Sequence, residues 1–505
     1  MLICKLTTGA AFREGVGDGF NMRWPLNIRS GRAAAAASVA ALMTALITAC
    51  APLPPIERGG PPAASASVLR QGETLHLQYS LDRDAAVWAF YDSALMSEVR
   101  EPWRPRQWRV LTPGVVLDRA GHYDILRSDD GGPVPRTVDI QITPRAVDLE
   151  AEYPTLKFSN GAVALPTRQM TVFPMDSVAD VAALPSDLNG VDLPTGPTRV
   201  HWRDEAGPLL YAAVRRPELI TQFERSYVLL GDADVTRGDG LTAVIDPALP
   251  QWMASALATA APATGQWYRQ RLGPANAEAE NPVLMAAWNG PTRRMTSMSG
   301  SVLPGLIVMN FEGSGITEPN DEIRERSLWF IAHEAAHFWL GQTVRYEFAR
   351  DAWITEGGAD MMAVRALKAR DPAYDETAEL QTEIDDCVKY ARQPIATAGE
   401  RGEHRAYYAC GAVFAMAAEA AERRRTGGDF IDFIRPLIDA NRRDGVLTVQ
   451  EWMAHFAARG GRPEVASLML DMINRGATDP QAAVMAVLSD WPARRVGDRV
   501  ILDQA

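Results

Sequence analysis

His333 and His337 lie four residues apart in the run SLWFIAHEAAHFWLG, which starts at Ser327. In a helix, positions i and i+4 share a face, so both imidazoles can point at one ion. The run is apolar nearly all round, which predicts a buried helix. Two imidazoles and a carboxylate in such a helix are costly unless something satisfies them, and a metal does so. Glu334 follows the first histidine directly and can reach a water on that metal as a general base. The reading is a zinc site with its own base.

Eighteen residues separate His337 from Glu356, which Gly357, Gly358 and Ala359 follow. This pattern resembles the HExxH-x18-E signature of the gluzincin metallopeptidases, in particular the family of aminopeptidase N. Trp339, Gly341, Val344, Asp351 and Trp353 also fit the family's spacing. The resemblance spans roughly Pro250 to Leu437. It implies that His333, His337 and Glu356 hold one Zn2+ per chain and that Glu334 is the base. Three protein ligands leave a fourth position for water, as a catalytic zinc requires. Asp351 and Asp360 are possible partners holding the histidines from behind.

Further on, YACGA at Tyr408 to Ala412 resembles the family's Tyr-x-x-Gly-Ala element. By that match Tyr408, rather than Tyr407, would donate a hydrogen bond to the oxyanion. Cys410 stands where the family often has lysine. The family's GxMEN motif, whose glutamate pairs with the substrate's free amino group, is absent. Glu312 is acidic and in about the right place, so it is the candidate for substrate binding. Three functions follow. The first is a zinc aminopeptidase of the bacterial cell envelope. The second is a zinc endopeptidase of the same fold. The third is a peptide-binding lipoprotein scaffold without catalysis.

The elements that must position these residues read as an α+β multidomain chain of 505 residues. Residues 1–50 look like a signal peptide. Arg23, Arg29 and Arg32 precede the run AAAAASVAALMTALITA, and ITAC, ending at Cys50, resembles a lipobox. Cys50 would then carry the lipid and anchor the protein at the membrane, facing the periplasm, with the outer membrane favoured. Translation could equally start at Met22. Residues 51–67 read as a flexible linker. Residues 68–198 alternate with period two between turn residues, the pattern of a β-sandwich-like domain. The expected strands include Gln169 to Phe173 and, beyond this domain, Leu209 to Val214.

Residues 199–376 form the expected thermolysin-like zinc catalytic domain. It should hold a helix from Pro250 to Leu272 kinked near Pro262, a metal helix capped by Asn320 or Asp321, and Pro304 to Gly313 as the sheet-edge strand that pairs with peptide, an ordinary buried strand being the alternative. Gly357 and Gly358 would let the next helix approach the metal helix. Residues 377–505 read as a helical C-terminal domain, with a capping box at Thr448 to Glu451 and Pro463 opening a helix. Four cysteines occur, and Cys387 and Cys410 remain after the leader and anchor are set aside. In an oxidising compartment they suggest a disulfide, two buried thiols being the alternative. The net charge of −12 argues against a nucleic-acid partner, and the family resemblance implies a peptide substrate.

Overall fold

Short alternating runs between residues 64 and 230 fold into three sheets, as period-two patterning dictates. The computed structural model describes residues 61–503 apart from 151, 187, 189–190, 239–240, 277–281 and 293–296. The leader and Cys50 lie outside these residues, as do positions 51–60 of the linker. Position 64 is already in a strand, so Ala64 to Ser67 are not linker. That strand, Ala64–Gln71, lies in the middle of a six-stranded sheet. It pairs antiparallel with Thr74–Leu81 and parallel with Arg199–Asp204. A four-stranded sheet contributes Trp88 and Phe90 to the core shared with Leu77 and Tyr79 of the first, giving the expected sandwich.

The sandwich does not stop at residue 198. Arg199–Asp204 and Glu218–Thr221 complete the six-stranded sheet, and Tyr227–Leu230 pairs with Val163–Pro166 in a third sheet. The β-rich part therefore reaches Leu230. Two expected strands are also broken. Thr167–Met170 is a 3-10 turn before the strand Val172–Met175. Leu209–Tyr211 and Val214–Arg216 are the two arms of a hairpin, with Ala212 and Ala213 at its tip in the left-handed region (φ 47° and 62°).

A fourth sheet has five strands in the order Val235–Arg237, Thr242–Ile245, Val283–Trp288, Leu306–Glu312, Ser297–Leu303. The middle three are parallel. Alternate residues divide its faces. Leu284, Ala286, Ile307, Met309 and Phe311 meet the helices, while Met285, Ala287, Leu306 and Val308 meet Tyr153, Leu156 and Phe158 of the β-rich part. Leu306–Glu312 is thus an interior strand. The edge on its side is Ser297–Leu303 among the described residues, which corrects the edge-strand reading in favour of the buried-strand one.

Helix Gln251–Leu272 is a single element with Pro262 inside it. The histidine helix, Asp321–Ala336, starts as expected: Asn320 Oδ1 accepts from the Ile323 N–H at 3.0 Å. The glutamate helix is Trp353–Arg370, the cysteine helix Glu376–Tyr390 and the tyrosine helix Arg405–Thr426. Thr448 and Glu451 form the capping box, and Pro463 is the first residue of its helix. One continuous apolar core runs from Leu241 to Leu502. The C-terminal helices therefore share one core with the histidine and glutamate helices. No helix among the described residues is long and apolar enough to cross a membrane.

Candidate metal centre

The histidine helix delivers both imidazoles at its C-terminal end. Its last residue is Ala336, and His337 caps it while keeping helical dihedrals (φ −65°, ψ −16°). The two rings therefore stay on one face. His333 Nε2 and His337 Nε2 are 3.1 Å apart. Glu356, in the first turn of the glutamate helix, brings Oε2 to 3.4 Å from His337 Nε2 and 3.8 Å from His333 Nε2. Ligand atoms of the three residues all lie within 4.8 Å of one another.

The other ring nitrogens are held from behind. His333 Nδ1 lies 2.8 Å from Asp360 Oδ1, and His337 Nδ1 lies 3.0 Å from the Leu340 carbonyl oxygen, to which it can donate. Both contacts leave the Nε2 lone pairs for the shared point, the arrangement metal-ligating histidines use. Asp360 stands where the expected supporting role would place it, beside His333 Nδ1. Asp351 lies elsewhere: it is buried beside Arg350, whose Nε is 4.0 Å from its Oδ1.

The donor set fits a zinc ion, and the burial calls for a cation. Glu334 is fully buried, and neither carboxylate oxygen has a hydrogen-bond partner among the described residues. Such a group is costly unless a positive charge or a water faces it. Burial pushes Glu334 up to about 8 and His333 down to about 3. For His337, burial works against the proton, but the Glu356 carboxylate outweighs it and lifts the imidazole to about 9. Burial would raise Glu356, yet His337 and the Tyr408 hydroxyl's hydrogen bond hold it below its usual value. The Glu356 carboxylate thus favours a proton on His337 that a dication bound there would displace.

Tyr408 reaches the centre as expected. Its ring stacks on His333 with centroids 5.8 Å apart, and its hydroxyl bonds Glu356. The small residues explain how. A Cβ on Gly357 would sit 2.1 Å from the Gly411 carbonyl carbon, and one on Gly411 would sit 2.3 Å from the Trp353 carbonyl oxygen. Gly357 therefore serves the contact between the glutamate and tyrosine helices, not the histidine helix. Only Gly358 faces the stretch after the histidine helix, where its Cβ would meet Leu340 Cδ2 at 2.4 Å.

Glu312 is not brought to the histidines. It pairs with Ser297 at the start of the edge strand and accepts a hydrogen bond from the Thr292 hydroxyl. Along that strand, Met298 meets Ser327, Gly300 meets Phe330 and the Leu303 carbonyl meets Gln342. Glu312 stands level with the Ser327 end, about 9 Å along the helix axis from His333 at about 1.5 Å per residue. The register of the sheet, invisible in spacing alone, decides this.

Cys387 and Cys410 are joined by a disulfide between the cysteine and tyrosine helices. Two neighbours of the centre were not anticipated. Trp329 stacks on His333 at 5.3 Å; its place one helical turn before that histidine was the available signal. Arg405, three residues before Tyr408, lies 3.7 Å from Asp360 Oδ2.

No protein-family model matches this chain, and no curated protein does. Among solved structures, that of native yeast LTA4 hydrolase superposes with a TM-score of 0.46 and 11% identity, covering 85% of this chain and 70% of that one. The metal-centre reading stands on the residues themselves.

Proposed function

We propose that this chain is a zinc-dependent peptide hydrolase. The observation that carries the proposal is the orphaned, fully buried Glu334 carboxylate beside three converging ligand atoms. His333, His337 and Glu356 would hold the ion. Bound there, zinc supplies Lewis acidity that polarises a carbonyl oxygen and acidifies water toward a pKa of about 7.

The chain's own residues do the rest. Glu334 takes a proton from the attacking water and returns it to the departing amine nitrogen. Tyr408 turns its hydroxyl from Glu356 to the carbonyl oxygen as charge builds there. Asp360 and the Leu340 carbonyl keep each imidazole's Nε2 free of hydrogen. Trp329 and the apolar helix around it keep bulk water out.

The family resemblance supports an aminopeptidase. The placement of Glu312 supports the second reading, an endopeptidase, because the expected anchor for a substrate's amino group is not at the centre. The ITAC stretch supports a lipid-anchored protein of the bacterial envelope, with Cys50 as the modified residue.

One set of peptides with free and with acetylated N-termini separates the readings. The full chain is incubated with both, with and without chelator, and products are read by mass spectrometry. Chelator-sensitive stepwise loss of N-terminal residues from the free peptides alone is the aminopeptidase result. Internal cuts in both forms establish the endopeptidase. Absence of cleavage by zinc-loaded protein would sink the hydrolase proposal and favour the scaffold.

A further inference from the structure

We infer that Arg405 is a positioning residue that ties the orientation of His333 to the placement of Tyr408. This rests on the zinc reading above. Arg405 opens the tyrosine helix, three residues before Tyr408, so the two share a helix face one turn apart. Its guanidinium reaches three carboxylates on two other helices. Nη1 is 3.7 Å from Asp360 Oδ2, Nη2 is 2.7 Å from Glu383 Oε1, and Nε is 2.8 Å from Asp386 Oδ2.

The geometry around Asp360 gives this arrangement a role at the centre. Asp360 presents Oδ1 to His333 Nδ1 and Oδ2 to Arg405. One carboxylate thus lies between a ligand imidazole and the guanidinium, and each of its oxygens faces one of them. A shift of Arg405 turns Asp360, and with it the His333 ring. The same shift moves the first turn of the tyrosine helix, and hence Tyr408. The guanidinium's flat fork is suited to fixing such planes, which an ammonium is not.

A purely structural role, docking the cysteine helix on the tyrosine helix, is already filled. The Cys387–Cys410 disulfide joins those helices covalently within about a turn of Glu383, Asp386 and Arg405. Docking alone therefore does not call for a guanidinium that also reaches Asp360. Asp360 and Glu383 are almost fully buried, so removing Arg405 leaves two enclosed carboxylates without their cation. Asp360 is then free to rotate toward any other donor.

The test uses the full chain with its disulfide intact and reads metal, not turnover. Zinc affinity is measured by competition with a chromophoric chelator, and cobalt-loaded protein reports ligand geometry through its visible bands. Arg405→Met should lower zinc affinity about tenfold, the lower end of what losing an outer partner of a ligand costs, and should shift the cobalt bands. Arg405→Lys should fall between it and the wild type. The paired change Cys387→Ala with Cys410→Ala should lower the melting temperature and leave affinity and spectrum alone. If Arg405→Met merely lowers the melting temperature in the same way, with wild-type affinity and spectrum, the inference is overturned. Should Arg405→Met not fold, Arg405→Lys carries the test, and unchanged affinity there overturns it. A wild-type chain that takes up neither zinc nor cobalt would instead overturn the zinc reading itself.

Discussion

Gly411→Ala should damage the centre far more than it damages the fold. The added Cβ would lie 2.3 Å from the Trp353 carbonyl oxygen and 2.9 Å from Gly357 Cα, where real Cβ atoms essentially never come within 3.0 Å. Both neighbours are backbone and cannot rotate away. Restoring ordinary van der Waals spacing requires the glutamate and tyrosine helices to part by about 1 Å. Glu356 is next to Gly357 in one helix, and Tyr408 is one turn from Gly411 in the other. A displacement of about 1 Å at reacting groups costs on the order of a hundredfold in rate. Stability changes less, because alanine gains about 1 kcal/mol of helix propensity over glycine while overpacking costs about 1–3 kcal/mol. The assay is kcat on a cleaved peptide beside a thermal melt. Gly358→Ala is the control: its Cβ meets only the end of the Leu340 side chain, at 2.4 Å, which can turn aside. A Gly411→Ala protein with wild-type kcat, or a Gly358→Ala protein equally impaired, would refute the claim that this helix contact sets the centre.

Tyr408→Phe should keep its zinc and its KM but lose about 10²- to 10³-fold in kcat, the cost of one oxyanion donor; a raised KM with kcat intact would make Tyr408 a binding residue only. Glu334→Gln should retain zinc and lose about 10²- to 10⁴-fold in kcat. At neutral pH it should also raise the melting temperature of the metal-free protein, since folding no longer has to hold a proton on a buried carboxyl pushed up to about 8; a lowered melting temperature contradicts that account. Asp351 gives a pH test. Burial pushes it up to about 6 from 3.8, against the pull of Arg350. The folded chain thus holds this proton more tightly than the unfolded one. Its contribution to stability is complete at low pH and is lost as pH rises through about 6, a change of up to about 3 kcal/mol. Asp351→Asn should therefore raise the melting temperature at pH 8 and barely change it at pH 4, and equal shifts at both would count against the assignment.

The centre was legible in the sequence wherever it depends on helix period and fixed spacing. His333, Glu334 and His337 occupy one stretch of helix, and Asp360 follows Glu356 by one turn of the next, so local geometry carries them together. The tyrosine was legible only through its likeness to the family's Tyr-x-x-Gly-Ala element, whose glycine here, Gly411, lies where two helices touch. Glu312 was not, because its place depends on which strand of a sheet is outermost and on register, and residue counting reports neither. Strand Ser297–Leu303, with Gly300 against Phe330, takes the edge in place of Leu306–Glu312. The domain boundary failed for a related reason: Arg199–Asp204 finds its partner far back in the chain, at Ala64–Gln71. The hairpin at Ala212 and Ala213 has left-handed residues without glycine or asparagine, so turn chemistry gave no sign of it. Arg405 was hidden because its partners come from two other helices.

The parallel pairing of Ala64–Gln71 with Arg199–Asp204 also sets an order of events while the chain is made. Arg70 and Asp204, partners in that register, are 134 positions apart. At about 5–20 residues per second of synthesis, one side of the first strand waits roughly seven to twenty-seven seconds for its neighbour. Throughout that time it offers an open row of peptide groups to any extended segment nearby. A chaperone that covers this strand, or transport that keeps the chain unfolded until residue 204 has emerged, would protect the yield of native protein.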